Sequence, residues 1–131
     1  MEPMKGEDAG TLHRRLIALH QAGRFADAIQ LIDPDAVDHR GGAEGDVVGR
    51  AAWLEKWQRA AGTDFGRATL SIEQNVALAD VSVNRYTIRG RDGASGKSFA
   101  VTGLDMVKVR DGRIVEHWAL LDVAALRHQL T

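Results

Sequence analysis

Apolar residues in the first quarter of the chain recur at helical spacing. The first such segment begins near Asp8, a candidate N-cap, and ends at Gly23. Its apolar face consists of Leu12, Leu16, Ile17 and Leu19. A second short helix is predicted over residues 25–32, and Asp33-Pro34 ends it, because the residue before a proline disfavours the helical conformation. The pattern therefore predicts two consecutive helices at the start of the chain.

A third helix is predicted after a short extended segment and a glycine-rich loop. Residues 36–39 form the extended segment, and the loop contains Gly41, Gly42, Gly45 and Gly49. Residues 50–61 then place Trp53, Leu54 and Trp57 on one apolar helical face.

Residues 68–121 alternate between apolar and polar positions, which is typical of strands. Arg-Asp-Gly at 91–93 and Asp-Gly-Arg at 111–113 supply turn residues, and residues 122–130 favour a short terminal helix. Three helices followed by a run of strands indicate an α+β fold with the helices on one side of a mostly antiparallel sheet. Without repeats or low-complexity segments, residues 1–131 are expected to form a single domain.

Composition and charge exclude several classes of function. Hydrophobic residues make up 44% and charged residues 27%, as in ordinary globular proteins, and the formal net charge is −1. Interspersed charges disfavour a nucleic-acid partner, and the absence of cysteine excludes disulfides and thiolate chemistry. No apolar leader or run of ~20 apolar residues is present, so we expect no membrane partner and a cytoplasmic location.

Three segments resemble those of the SnoaL-like polyketide cyclase family, within the wider nuclear-transport-factor-two-like (cystatin-like) group. They are LIDPDAVDHRGGAEGDVVGRAAW at 31–53, NRYTIRGRDGASGK at 84–97 and GLDMVKVRDGRIVEHWALLDVAALRHQL at 103–130. The resemblance implies a cone-shaped, half-open barrel of curved sheet, a homodimer, and a pocket that works without a cofactor. Family members and related folds include ring cyclases, isomerases, epoxide hydrolases and non-catalytic proteins.

One position departs from the family pattern. In the cyclases a general acid/base aspartate follows two residues after the histidine of the last strand, and here that position is Ala119. Because fold does not determine function, the chemistry has to be sought in the remaining residues.

Strand alternation selects Asp105 as the first catalytic candidate. It shares an apolar face with Val101 and Val107, which predicts that it lies on the inner side of the sheet. On the next strand, His117 is expected on the same side, where an imidazole could exchange protons near neutral pH. A structural carboxylate and a histidine at the barrel rim are the alternatives.

Arg85 is the third catalytic candidate, because it shares a face with Val81 and Val83 and there needs an anionic partner such as Asp105. It resembles a pocket arginine of the epoxide hydrolases of this fold, but Thr87 replaces their carboxylate, which disfavours that reaction.

Four further residues are predicted to shape the substrate pocket: His39, Trp53, Trp57 and Ala119. A surface histidine and two core tryptophans are the alternatives. The five histidines show no spacing typical of a metal site, so neither a metal nor a cofactor is predicted.

The sequence favours a cofactor-free acid/base enzyme of the cyclase, isomerase or hydrolase type. Its ligand would be a small, mostly apolar, oxygenated compound of polyketide, terpenoid or steroid type. A non-catalytic binding or dimerising module is the alternative, for which Ala119 is the argument. Catalysis through Asp122, displaced by a bulge, stays open.

Overall fold

The computed structural model describes residues 8–40 and 45–131, so Gly41 and Gly42 of the predicted loop lie outside the described residues. The helices are α1 (Ala9–Gln21), α2 (Phe25–Ala28), α3 (Arg50–Ala61) and α4 (Val123–Leu130), with a 3-10 turn over Ile29–Leu31. The Asp8 carboxylate accepts a hydrogen bond from the Thr11 backbone N–H at 2.7 Å, as an N-cap does. None of the described helices is long and apolar enough to cross a bilayer.

The strands form a curved six-stranded sheet with the order β2-β1-β6-β5-β4-β3. Their bounds are β1 (Ile32–His39), β2 (Val47–Val48), β3 (Thr69–Leu78), β4 (Val81–Arg91), β5 (Ser98–Arg110) and β6 (Arg113–Leu121). All neighbours pair antiparallel except β1 and β6, which run parallel and so bring the early β1 beside the last strand. The sheet does not close into a barrel.

Two apolar clusters cover the inner face of the sheet. The larger one packs α1 and α3 against β1, β5 and β6, with Trp53, Ile32 and Ile114 almost completely buried in it. The smaller one joins Tyr86 and Phe99 to the partly buried leucines of α4 and to Phe65. The helices therefore lie on one side, as the order of elements predicts.

The expected α+β architecture is confirmed, with two local differences. Pro34 lies within β1, where the lack of a proline N–H is tolerated because the pairing with β6 is irregular between Ile32 and Val37. Strict alternation from His117 would place Ile114 on the outer face, but Ile114 is completely buried, because the register of β5 and β6 shifts between Lys108 and Val109.

Candidate functional site: a buried histidine–carboxylate network

Asp105 is a buried carboxylate at the centre of the inner face of β5. Only 5% of it is exposed, and its neighbours along that face are Gly103 and Val107. Its Oδ2 accepts hydrogen bonds from Nε2 of His13, at 2.8 Å, and from Nε2 of His117, at 3.1 Å. Burial alone would raise the pKa of Asp105, but the two histidines reverse this effect and hold the pKa below its ordinary value.

His117 lies between two carboxylates. Its Nε2 faces Asp105, and its Nδ1 lies 2.8 Å from Oδ1 of Asp38. Both ring nitrogens can donate at once only in the imidazolium form. Burial opposes this charge, but the hydrogen bonds and charges of Asp105 and Asp38 outweigh burial and raise the pKa of His117.

Asp38 connects His117 to a lysine on α3. Its carboxylate is 2% exposed and also accepts a hydrogen bond from Nζ of Lys56. Burial favours the neutral acid, yet His117 and Lys56 together lower the pKa of Asp38 to about 2. Lys56, Asp38, His117 and Asp105 thus form a continuous row of alternating charges.

The network continues from Asp105 into α1 and the β3–β4 hairpin. Nδ1 of the fully buried His13 lies 2.8 Å from Oγ of Ser82, and the same Oγ accepts a hydrogen bond from the Asn75 amide at 2.9 Å. Asn84 stands opposite Asp105 in the sheet. Among the described residues, Nδ2 of Asn84 and Oδ1 of Asp105 are both buried without a hydrogen-bond partner.

His117 opens onto a cavity of about 410 Å³ between β1, β6, α3 and the start of α4. The cavity is lined by Asp38, His39, Arg40, Lys56, His117, Ala119, Leu121 and Val123. The ring of His117 is 18% exposed there, whereas the carboxylates behind it are almost fully buried. Within the network, therefore, His117 and Lys56 are the groups most accessible to a ligand in this cavity.

A second, apolar cavity of about 280 Å³ lies between α1, α3 and strands β3 and β4. Its lining includes Leu16, Trp57, Phe65 and Ile88. Lys56 lines both cavities, so its side chain marks the boundary between the apolar cavity and the polar one. Burial, and secondarily the charge of Lys56, lower the pKa of His20, the histidine of the apolar cavity.

The expectation that Arg85 lies beside Asp105 is wrong. Arg85 is exposed and pairs with Leu104, on the opposite face of the sheet. The inner face of β4 instead carries Ser82, Asn84 and Tyr86. The neighbouring valines suggested that Arg85 faces inward, but on this strand the buried face includes the polar side chains of Ser82 and Asn84.

The other predicted pocket residues occupy different places. Trp53 is buried, with its ring edge-on to His117 at a centroid distance of 6.0 Å, and Trp57 lines the apolar cavity. Ala119 is exposed at the cavity wall, opposite Asp105. His39 lies at the cavity rim with its ring stacked on Trp118 and 3.0 Å from Glu116, on the outer side.

Asp122 does not reach the inner face. It is exposed, and its carboxylate caps α4 by accepting from the Ala125 backbone N–H at 3.0 Å. In the described ranges no three His, Asp or Glu side chains converge in a geometry that could hold a metal ion.

Sequence reasoning missed Asp38, His13 and Lys56. A signal existed for two of them: Asp38 shares the buried face of β1 with Ala36, and His13 lies beside Leu12 and Leu16 on the apolar side of α1. A polar residue on an apolar face is informative because burying it requires a partner. No local signal marks Lys56, which lies on the helix that also carries Trp53 and Trp57.

Comparison with known proteins identifies a family and a fold to which this chain is similar. A family model described as SnoaL-like domain matches residues 13–117. IdmH of Streptomyces antibioticus, for which polyketide cyclase activity has been proposed, is similar with 30% identity and a TM-score of 0.81, over 95% of this chain and 99% of that one. TsrD of Streptomyces laurentii is 24% identical with a TM-score of 0.75, over 92% of each chain.

More distant structures share the fold alone. AclR of Streptomyces galilaeus, a proposed hydroxylase, is 18% identical with a TM-score of 0.74 over 92% of each chain. A comparison with curated proteins finds no significant match.

Proposed function

The chain belongs to the SnoaL-like family, and from that premise we propose that it is a cofactor-free acid/base enzyme in which His117 exchanges a proton with a small, mostly apolar, oxygenated ligand. The ligand class is that of polyketide-like, terpenoid-like or steroid-like carbonyl compounds. Similarity to IdmH favours the polyketide-like ligand and a cyclase-type reaction.

The proposal rests on one observation about His117. Its ring is accessible from the cavity, and each of its two nitrogens lies within hydrogen-bond distance of a carboxylate oxygen. Asp38 binds Nδ1 at 2.8 Å, whereas Nε2 lies 3.1 Å from an Asp105 oxygen that His13 already occupies. Nε2 is therefore the more weakly held nitrogen, and the one whose proton a ligand oxygen can share.

The chemistry follows from the two carboxylates. The protonated ring donates to a ligand oxygen, and the neutral ring takes a proton from a carbon beside a carbonyl. Asp38 and Asp105 stabilise the imidazolium in both directions, and Lys56 holds Asp38 in place. The adjoining apolar cavity accommodates the hydrocarbon part of the ligand.

A comparison of two histidine variants tests the proposal. Wild type, His117→Asn and His128→Asn are assayed on a linear poly-β-keto ester, a β,γ-unsaturated steroid ketone and an epoxide. We expect His117→Asn to lower turnover by about 10²- to 10⁴-fold, as is usual for a general acid/base group. His128→Asn is the matched control, because His128 is exposed on α4. Turnover that survives in His117→Asn contradicts the proposal.

Asp105→Asn separates catalysis from binding. The carboxylate lies behind His117, so its replacement by an amide removes the negative charge beside Nε2 while the cavity wall stays in place. We expect turnover to fall while ligand affinity stays within about tenfold of wild type. An equal loss of turnover and affinity would instead indicate a collapsed pocket.

A non-catalytic binding module is the second candidate. It is favoured by Ala119, which presents only a methyl group at the cavity wall where the cyclases carry their aspartate. In that case the charge network serves stability, and no substrate of the panel is turned over by wild type or by either variant.

A further inference from the structure

Tyr86 presents an unpartnered hydroxyl inside the fold. It is the only tyrosine of the chain, it lies on the inner face of β4, and only 6% of it is exposed. The described residues supply no hydrogen-bond partner for its hydroxyl, and the hydroxyl oxygen is not completely shielded from solvent. A buried tyrosine usually pairs its hydroxyl, which makes this group an available donor.

The absence of a side chain at Gly103 leaves room for the hydroxyl end of the Tyr86 ring. Tyr86 and Gly103 are register partners, and a Cβ built on Gly103 would come within 2.7 Å of Cε1, Cζ and the hydroxyl oxygen of Tyr86. The distal end of the ring therefore lies flat over β5. The next residue across the sheet from Gly103 is Leu121, which lines the cavity of His117 together with Ala119.

The electrostatic environment keeps the Tyr86 hydroxyl protonated, so that it can donate a hydrogen bond. Burial, and after it the negative charge of Asp105, raise the pKa of Tyr86 to about 12. A phenol in this state donates a hydrogen bond at any physiological pH. The same negative charge disfavours a carboxylate ligand beside it, so a neutral acceptor oxygen fits the position better.

We propose that Tyr86 binds the carbonyl oxygen of a neutral ketone or ester ligand and so orients that ligand toward His117. The orientation of the ligand toward His117 rests on the proposed function, whereas the hydrogen bond from Tyr86 to the carbonyl oxygen is a binding contact that does not require catalysis. Tyr86 makes no hydrogen bond to His13, Asp105 or His117, so its hydrogen bond to a ligand can be tested separately from that network.

Paired probes test the hydrogen bond. Calorimetry compares the bicyclic ketone 1-decalone with the matched hydrocarbon decalin on wild type, Tyr86→Phe and Gly103→Ala. We expect Tyr86→Phe to weaken ketone binding by about 3- to 10-fold, as one neutral hydrogen bond does, and to leave decalin binding unchanged. Gly103→Ala, which displaces the phenol without removing it, should weaken the ketone more than the hydrocarbon.

Carbon NMR gives a direct readout, because the single tyrosine yields a single signal. Protein labelled at tyrosine Cζ should show that signal moving on addition of 1-decalone, and the carbonyl carbon of labelled ketone should move downfield with wild type and not with Tyr86→Phe. A Cζ signal that stays fixed up to the solubility limit of the ketone overturns the proposal. So does equal weakening of ketone and decalin by Tyr86→Phe, which indicates a packing role.

The experiments distinguish a failure of the proposed catalytic function from a failure of the proposed carbonyl-binding site. If His117→Asn keeps full turnover while the Tyr86 signal responds to ketone, the catalytic function is wrong and the carbonyl site stands. If His117→Asn loses turnover while Tyr86→Phe binds the ketone as wild type does, the catalytic function stands and the carbonyl site is wrong.

Discussion

His117 and Asp38 are register partners on the parallel strands β6 and β1, and Nδ1 of the imidazole lies 2.8 Å from Oδ1 of the carboxylate. The parallel pairing of the first and last strands makes this contact possible between residues that are far apart in the sequence. Because the partners are held by the sheet rather than by loops, the orientation of the ring is fixed before a ligand arrives.

Replacing Asp38 with Asn should lower the pKa of His117. The substitution removes one of the two charges that stabilise the imidazolium and leaves Lys56 without its carboxylate. We expect the pH profile of turnover to move to lower pH and the free energy of unfolding to fall by about 1–3 kcal/mol. NMR titration of the His117 ring measures the first effect, and urea denaturation measures the second.

Asp35→Asn is the matched control for this variant, since Asp35 is exposed on the same strand. It should leave the titration of His117 unchanged. An unchanged titration in Asp38→Asn as well would show that the carboxylate does not act on the ring.

The same pKa shifts predict how stability depends on pH. Asp38 has a folded-state pKa of about 2 against an ordinary value of 3.8, so its contribution is present above pH ~4 and is lost as the pH falls toward 2. The shift corresponds to about 2 kcal/mol. His117 has a raised pKa, so its contribution is present below its unfolded value of 6.5 and is lost as the pH rises through the folded value.

The free energy of unfolding should therefore be greatest between about pH 4 and pH 6.5 and fall on both sides. Urea denaturation from pH 2 to pH 9 measures this curve, and Asp38→Asn should flatten the acid side. Stability that increases from pH 6.5 to pH 9 contradicts the assignment of His117.

Local patterns predicted the elements but only part of the network. The helix over Arg50–Ala61 followed from the spacing of its tryptophans, and the inner face of β5 followed from its apolar alternation, which placed Asp105 correctly. Both elements bury one continuous apolar face, so the sequence period reports burial directly.

The pattern failed where a strand buries polar residues. On β4 the buried side includes Ser82 and Asn84, so alternation of apolar residues assigned Arg85 to the wrong face. The contact between His13 and Asp105 joins residues 92 positions apart, and no local periodicity contains that information. Only the packing of α1 on the sheet makes His13 part of the site.

Restoring the missing carboxylate should alter the site. Ala119→Asp places an acid opposite Asp105, two residues from His117 on the exposed cavity wall. The added negative charge should raise the pKa of His117, and cyclase-type turnover of a poly-β-keto ester should appear or increase. Ala124→Asp, at an exposed position on α4, is the control. If both variants leave the His117 titration unchanged, the added carboxylate does not face the ring.

The outer face of the sheet should form the interface of a homodimer. Leu120 is 77% exposed and Leu104 is 46% exposed, and together with Met106 and Trp118 they line a shallow apolar groove on β5 and β6. An apolar patch on a sheet face is typical of a contact with a second copy, and two-fold pairing would cover it on both subunits.

We expect light scattering at micromolar concentration to give twice the chain mass, and Leu120→Glu to reduce it to the chain mass, because the charge would be buried without a partner. Val48→Glu is the matched control, since Val48 is 64% exposed but lies on the edge strand β2, and it should leave the dimer intact. A monomer mass for the wild type, or dissociation by both variants alike, contradicts this interface.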